Sequence, residues 1–225
     1  MSVGRTIANG VERPRDVLVW LRWVVANLAG EAVGFVLGMI LGFVFSLPFG
    51  EPEGVLKVIA FAVEIVVMGG VLGTGIGIAQ HLAIGRFLPG LSRREWVAAT
   101  IPGAIIAFGA TMAILNWAGD SFVTALGGSW PIGGLAMGLL AGAILSVFQW
   151  ISLRRVARRA SIWVPAHAGA WAVAMLLGFA AVGGGSSDAS GLALAGTSTA
   201  AVLGVGLGVP ALTGLAVLWV LRGEA

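Results

Sequence analysis

The chain has no cysteine, which excludes disulfides and thiolate chemistry. Charge is scarce as well: 10% of the 225 residues are Asp, Glu, Lys or Arg, whereas a soluble domain needs about 25% to coat its surface. Histidine occurs twice, at His81 and His167, too few and too separated to read as a metal site. No His-Glu-x-x-His, no phosphate loop ending in Gly-Lys-Ser/Thr and no cysteine pair is present. The run Gly73-Thr74-Gly75-Ile76-Gly77 lies inside an apolar helical stretch and not after a strand, so a dinucleotide reading fails. These absences leave no enzymatic constellation, and neither a cofactor nor a metal is expected.

What is present is apolar. Hydrophobic residues make up 58% of the chain, and the mean hydropathy is +1.00. Such a chain finds its solvent mostly in lipid. Its apolar runs reach about 20 residues or more, the length that crosses a bilayer as a helix, and they do not alternate as barrel strands would. Six spans are expected, over residues 16–47, 56–84, 96–117, 130–153, 162–182 and 192–221. Pro48, Gly50 and Pro52 break the first, and Asn116, Gly119 and Asp120 are expected to end the third. Residues 121–129 read as a loop with a short turn near 122–126, and 183–190 as a flexible polar loop. Pro131 suits a first helical turn, and Pro210 should kink the last span. Residues 1–15 read as a polar cytoplasmic tail ahead of one transmembrane domain over 16–225. The first apolar run is too long for a signal-peptide core, so no cleavable leader is expected.

The basic residues segregate. With six spans, all twelve arginines fall on one side and Lys57 alone on the other. The positive-inside rule then places both termini in the cytoplasm of a cell inner membrane. The net charge of +3 resides in these topology-setting arginines, so no nucleic-acid partner is expected. Arg86, Arg93, Arg94, Arg154, Arg155, Arg158 and Arg159 are candidate contacts to anionic headgroups. Other membrane subunits are candidate partners.

An internal repeat is legible. Trp23-Val24-Val25-Ala26-Asn27 aligns with Trp96-Val97-Ala98-Ala99-Thr100 and with Trp163-Val164-Pro165-Ala166-His167. Gly73 precedes Gln80 by seven residues, as Gly142 precedes Gln149 and Gly206 precedes Thr213, where the glutamine is lost. Glycines also recur every four residues, at 30–42, 69–77, 134–142 and 204–208. Such spacing lines one helix face with small residues and permits close crossings. The expected architecture is all-α and polytopic: three antiparallel helix pairs, over about 16–84, 94–153 and 161–221, around a pseudo-threefold axis. Trp23, Trp96, Trp150 and Trp163 read as interface anchors, because amphipathic rings favour the headgroup level.

The glycine ladder, the Gln-Trp/His-Leu sequence, the basic residues and the following Trp-Val-x-Ala together resemble a group of uncharacterised multi-pass bacterial membrane proteins, found in photosynthetic and filamentous bacteria. The resemblance covers about residues 20–221 and departs from the pattern at Thr213. It implies architecture and carries no activity.

Polar groups inside the spans are the remaining signal. The candidate cluster is Asn27, Glu31, Glu64, Gln80, Thr100, Gln149 and His167. Asn27, Thr100 and His167 occupy equivalent positions, and hydrogen bonds from the even-helix glutamines to them are expected. Glu31, mid-span with no cation at its depth, is the member least easily read as interhelical glue. The favoured function is a non-enzymatic accessory or assembly component of the bacterial membrane. The alternative is a small transporter or channel whose polar path is lined by Glu31, Glu64, His167, Gln80 and Gln149. A topology reporter fused after Ala225 is expected to be active only when it is of the cytoplasmic type; activity of an extracytoplasmic reporter there would invert the orientation.

Overall fold

The computed structural model describes residues 16–50, 53–183 and 191–224, with side chains through residue 181 and again from 206. The tail at 1–15 and the loop at 184–190 lie outside the described residues, as do Glu51, Pro52 and the side-chain environment of Gly204. Every described element is helical. The helices are α1 (Asp16–Ser46), α2 (Gly54–Ile84), α3 (Arg93–Ala113), α4 (Gly119–Ala125), α5 (Trp130–Leu153), α6 (Trp163–Gly183) and α7 (Gly191–Leu221). Five stretches among the described residues are long and apolar enough to cross a membrane: Asp16–Phe49, Gly54–Ile84, Arg93–Ala125, Trp130–Leu153 and Ala160–Ala181. In α7 a shorter apolar portion, Gly206–Leu221, has described side chains.

Local chemistry sets several ends. Ser92 caps α3 by accepting from the Glu95 amide at 3.5 Å, the Ser-x-x-Glu spacing of a capping box. Proline sits in the first turn of α5, where its missing N–H costs nothing. The third span does not stop where the sequence suggested. It passes through a π-helical turn, Ile114–Ala118, into α4. Asn116 spends its amide on the Met112 carbonyl at 2.8 Å instead of capping an end. Gly119 keeps a right-handed backbone (φ −48°, ψ −58°). The chain turns instead at Gly127 and Gly128, whose φ of +89° and +77° lie in the region that glycine tolerates.

The six long helices pack in chain order: α1 on α2, α2 on α3, α3 on α5, α5 on α6, α6 on α7, and α7 back on α1. This closes a ring. Glycines set its closest contacts. Gly30 and Gly34 of α1 face Gly75 and Leu72 of α2; Gly73 and Gly77 of α2 face Ile101 and Thr100 of α3; Gly138 and Gly142 of α5 face Trp171 and Ala168 of α6. Large apolar side chains turn outward, among them Phe35, Met39, Ile40, Phe43 and Val44 on α1. In water such a face would be a liability; in lipid it is the solvent-matched surface.

The apolar core lies at the arginine-rich end. Val19, Trp23, Ile84, Leu88, Leu91, Trp96, Leu153, Ala157, Ala160, Trp163, Val217 and Val220 form one buried cluster. The turn after α2 is reproduced after α5. The Leu88 amide bonds the Ile84 carbonyl at 3.2 Å and the Leu91 amide bonds that of Leu88 at 2.8 Å; Ala157 to Leu153 at 2.9 Å and Ala160 to Ala157 at 3.4 Å repeat the pattern.

The glycine contacts yield a paired prediction. A Cβ at Gly142 would lie 2.7 Å from the His167 carbonyl oxygen and 2.9 Å from the Trp171 Cβ, whereas one at Gly169 meets nothing within 4 Å among the described residues. Gly142→Ala is expected to destabilise by about 1–3 kcal/mol through overpacking. Gly169→Ala should be neutral or stabilise by up to about 1 kcal/mol through helix propensity. Unfolding of both variants in detergent, compared with the parent chain, checks the contrast.

Candidate functional site

Three tryptophans meet at the centre of the ring. Trp23, Trp96 and Trp163 have exposures of 0%, 0% and 1%. The ring centroid of Trp163 lies 5.6 Å from those of both Trp23 and Trp96, in edge-to-face geometry, the arrangement aromatic quadrupoles prefer. Their expected role as interface anchors therefore does not hold. The sequence places each ring near the arginine-rich end of its helix. It does not specify which way the ring points, and here all three turn toward the axis. Trp150 differs: it is half-buried, with the Arg154 guanidinium 4.7 Å from its ring centroid.

One hydrogen-bond network runs outward from this triad and touches all six long helices. The Trp23 indole donates to Thr213 Oγ1 at 3.0 Å, joining α1 to α7. Asn27 Nδ2 donates to the Trp23 carbonyl at 2.9 Å, and Gln80 Nε2 donates to Asn27 Oδ1 at 2.9 Å. Gln149 Nε2 donates to Gln80 Oε1 at 2.8 Å and to Thr100 Oγ1 at 3.2 Å. The Trp163 indole donates to Gln149 Oε1 at 3.0 Å. His167 Nδ1 lies 3.1 Å from the Trp163 carbonyl oxygen, and its ring centroid is 4.2 Å from that of Trp163. Asn27, Gln80, Thr100, Gln149, His167 and Thr213 are all at most 3% exposed. Interhelical bonds of this kind contribute about 0.6 kcal/mol each on average in membranes.

The structure thus joins five of the seven candidate polar residues, and pairs each even-helix glutamine with the polar residue of its odd helix. It separates the two carboxylates. Glu31 lies one helical turn outward from Asn27, partly exposed, with no bond into the network among the described residues. Glu64 belongs elsewhere. Its Cγ would be 3.6 Å from a Cβ on Gly42, and Gly42 is about 22 Å along α1 from Asn27 at 1.5 Å per residue. Glu64 therefore lies outside the cluster, because α2 carries it sixteen residues from Gln80. His81 is half-buried, with Nε2 2.9 Å from the Leu91 carbonyl oxygen.

Beneath the network, Ile84, Leu88, Leu153, Trp163, Val217, Val220 and Leu221 pack as an apolar plug, and the recess they line has no room for a water molecule. Arg86, Arg93, Arg94, Arg154, Arg155, Arg158 and Arg159 stand exposed around this plug. Guanidinium groups of Arg86 and Arg159 lie over Phe87 and Trp219 at 4.4 and 4.9 Å from the ring centroids. Among the described residues no three His, Asp or Glu side chains converge as a metal site.

Sequence reasoning missed two features. Thr213 stands where the third copy lacks its glutamine, yet its hydroxyl accepts the Trp23 indole; the signal is its place seven residues after Gly206. The second is a cavity of about 250 Å³ at the opposite end, lined by Ser46, Phe49, Gly50, Lys57, Ala60, Phe61, Glu64, Asn116 and Trp117. Its marks in the sequence are the lone lysine and Glu64 seven residues later.

Two indoles donate to the preceding helix of the ring, Trp23 to α7 and Trp163 to α5. The same relation would send Trp96 Nε1 to Gln80, whose Oε1 instead accepts from Gln149. Trp96 Nε1 is the one buried side-chain nitrogen or oxygen without a partner among the described residues. Phe substitution at either tryptophan removes similar volume, but only Trp163→Phe strips Gln149 Oε1 of its indole donor. Trp163→Phe is expected to be the more destabilising, by about 1–3 kcal/mol relative to Trp96→Phe; equal unfolding midpoints in detergent would refute the bonding pattern.

A scan against family models finds no match for the chain, and searches of curated proteins and of solved structures find none either.

Proposed function

We propose that this chain is a six-span protein of a bacterial inner membrane, built from three antiparallel helix pairs about a pseudo-threefold axis. On this reading both termini are cytoplasmic. The protein acts as a non-enzymatic accessory or assembly component, and its arginine-rich face lies against anionic headgroups. The repeated turns after α2 and α5, the central tryptophan triad and the alignment of Asn27, Thr100 and His167 support the threefold arrangement. The resemblance to multi-pass bacterial membrane proteins with the same motifs points the same way.

One observation carries the functional part: among the described residues the ring's polar interior, Trp96 Nε1 apart, is bonded to itself, over an apolar plug without room for water. A carrier needs polar groups available to its cargo. Here the amides of Gln80 and Gln149 are committed to Asn27, Thr100 and each other, and Gln149 also receives Trp163. The transporter alternative would have to break these bonds and displace Ile84, Leu153 and Val217 before a path reached the arginine-rich side. An accessory protein has no such requirement. It needs a rigid, lipid-stable body that presents fixed surfaces to headgroups and to other membrane subunits.

Ion and proton flux into liposomes reconstituted with the full chain tests this reading. Flux is expected to match empty liposomes. Flux above that level, abolished by Glu31→Gln, would establish the transporter in its place.

A further inference from the structure

We propose that the cavity between the tip of the α1–α2 hairpin and the π turn binds the headgroup of an aminophospholipid, a zwitterion carrying a primary ammonium and a phosphate. This goes beyond the accessory role above and does not depend on it.

Depth is the first argument. α2 has 31 residues and is about 46 Å long, against about 30 Å of hydrocarbon. Counted from Ile84 at the arginine-rich end, about 30 Å of helix reaches Glu64. Lys57 then lies about 10 Å farther, within the opposite headgroup layer. The cavity that both residues line therefore sits where headgroups are.

Charge is the second. Lys57 and Glu64 are seven residues apart and so share one face of α2. They are not paired with each other: the one ion pair among the described residues joins Arg222 to Asp16. Among the described residues the site holds one cation and one anion, separated by about two helical turns, and is matched by a ligand with both signs of charge. An anionic lipid would leave Glu64 uncompensated, and a simple cation would leave Lys57 so. Phosphate at Lys57 and ammonium at Glu64 satisfies both with charge-assisted bonds.

The third is how the wall is built. Gly42 leaves the space that Glu64 and Met68 occupy: a Cβ there would lie 2.7 Å from Met68 Cγ. Across the cavity, the π turn Ile114–Ala118 carries Asn116 and Trp117 into the lining. Single π turns inside α-helices occur frequently at functional sites. Trp117 is held by Phe61 with ring centroids 4.6 Å apart, which gives the apolar part of a lipid an aromatic shelf.

Native mass spectrometry of the full chain, delipidated in detergent and titrated with phosphatidylethanolamine or phosphatidylglycerol, tests the site. Lys57→Gln and Glu64→Gln are each expected to weaken phosphatidylethanolamine binding about tenfold. Phosphatidylglycerol binding, held at the arginine face, should be unchanged, which also reports that the variants are folded. Ala60→Leu, which narrows the cavity without touching either charge, should weaken phosphatidylethanolamine in the same way. An added excess of O-phosphoethanolamine distinguishes the sources: loss of bound lipid assigns the site to a free headgroup, and persistence assigns it to the membrane lipid; either outcome upholds the zwitterion. Phosphatidylethanolamine binding equal to the parent chain in all three variants would overturn the proposal, as would a parallel fall in phosphatidylglycerol binding.

Discussion

A polar group buried in a chain dissolved in lipid has to find its partner within the protein, and Gln149 is where that constraint is most concentrated. Its carboxamide sits at 0% exposure, closed off from solvent. It resolves the problem by bonding to three helices at once: the oxygen to Trp163 on α6, the nitrogen to Gln80 on α2 and Thr100 on α3. Each of those partners is held by a further bond or by the aromatic triad. The separation of the helices in the ring follows from this. A ring wider by one side chain would break the bonds, and a narrower one is barred by three indoles in contact.

The glycines make that separation reachable. Without close approach of α2 to α3 and of α3 to α5, Gln80 and Gln149 could not meet across the axis. Gly73 and Gly103 bring backbone against backbone at those seams. Helix association in lipid has no hydrophobic drive between apolar faces, so dispersion packing at small residues and interhelical hydrogen bonds carry it. Here the two act at different radii: glycine contacts between neighbouring helices, amides and indoles toward the centre. The salt bridge from Arg222 to Asp16 is exposed and adds little to either.

Much of this was legible from residue spacing. Apolar run length placed α1, α2, α5, α6 and α7 within a few residues, and the matched offsets of Gln80 and Gln149 anticipated their bonds to Asn27 and Thr100. Direction around the helix was not legible. Trp23, Trp96 and Trp163 have the composition and position of headgroup anchors, and a pattern of residue types does not say whether such a ring faces lipid or its two counterparts. The end of the third span was misplaced for a related reason. Asn116 and Gly119 are common terminators, yet both are compatible with helix, and Asn116 satisfies itself on Met112. Glu64 groups with the central polar residues in the sequence because depth along a span cannot be read without its partners; packing against Gly42 puts it instead at the cavity of the opposite end.

The ring closes in chain order, and its final seam joins the first helix to the last. Translation therefore builds the wall one neighbour at a time, with each new helix able to dock on the one before it. Trp20 and Trp23 are the exceptions. Their indoles are made early, and their acceptors, the Ala211 carbonyl and the Thr213 hydroxyl, lie 191 and 190 residues later. A nascent chain that has inserted α1 through α6 thus still carries an unsatisfied donor at its centre, and the ring remains an open arc with one polar edge. The last helix completes the wall and, by accepting the indoles of α1, also silences that edge.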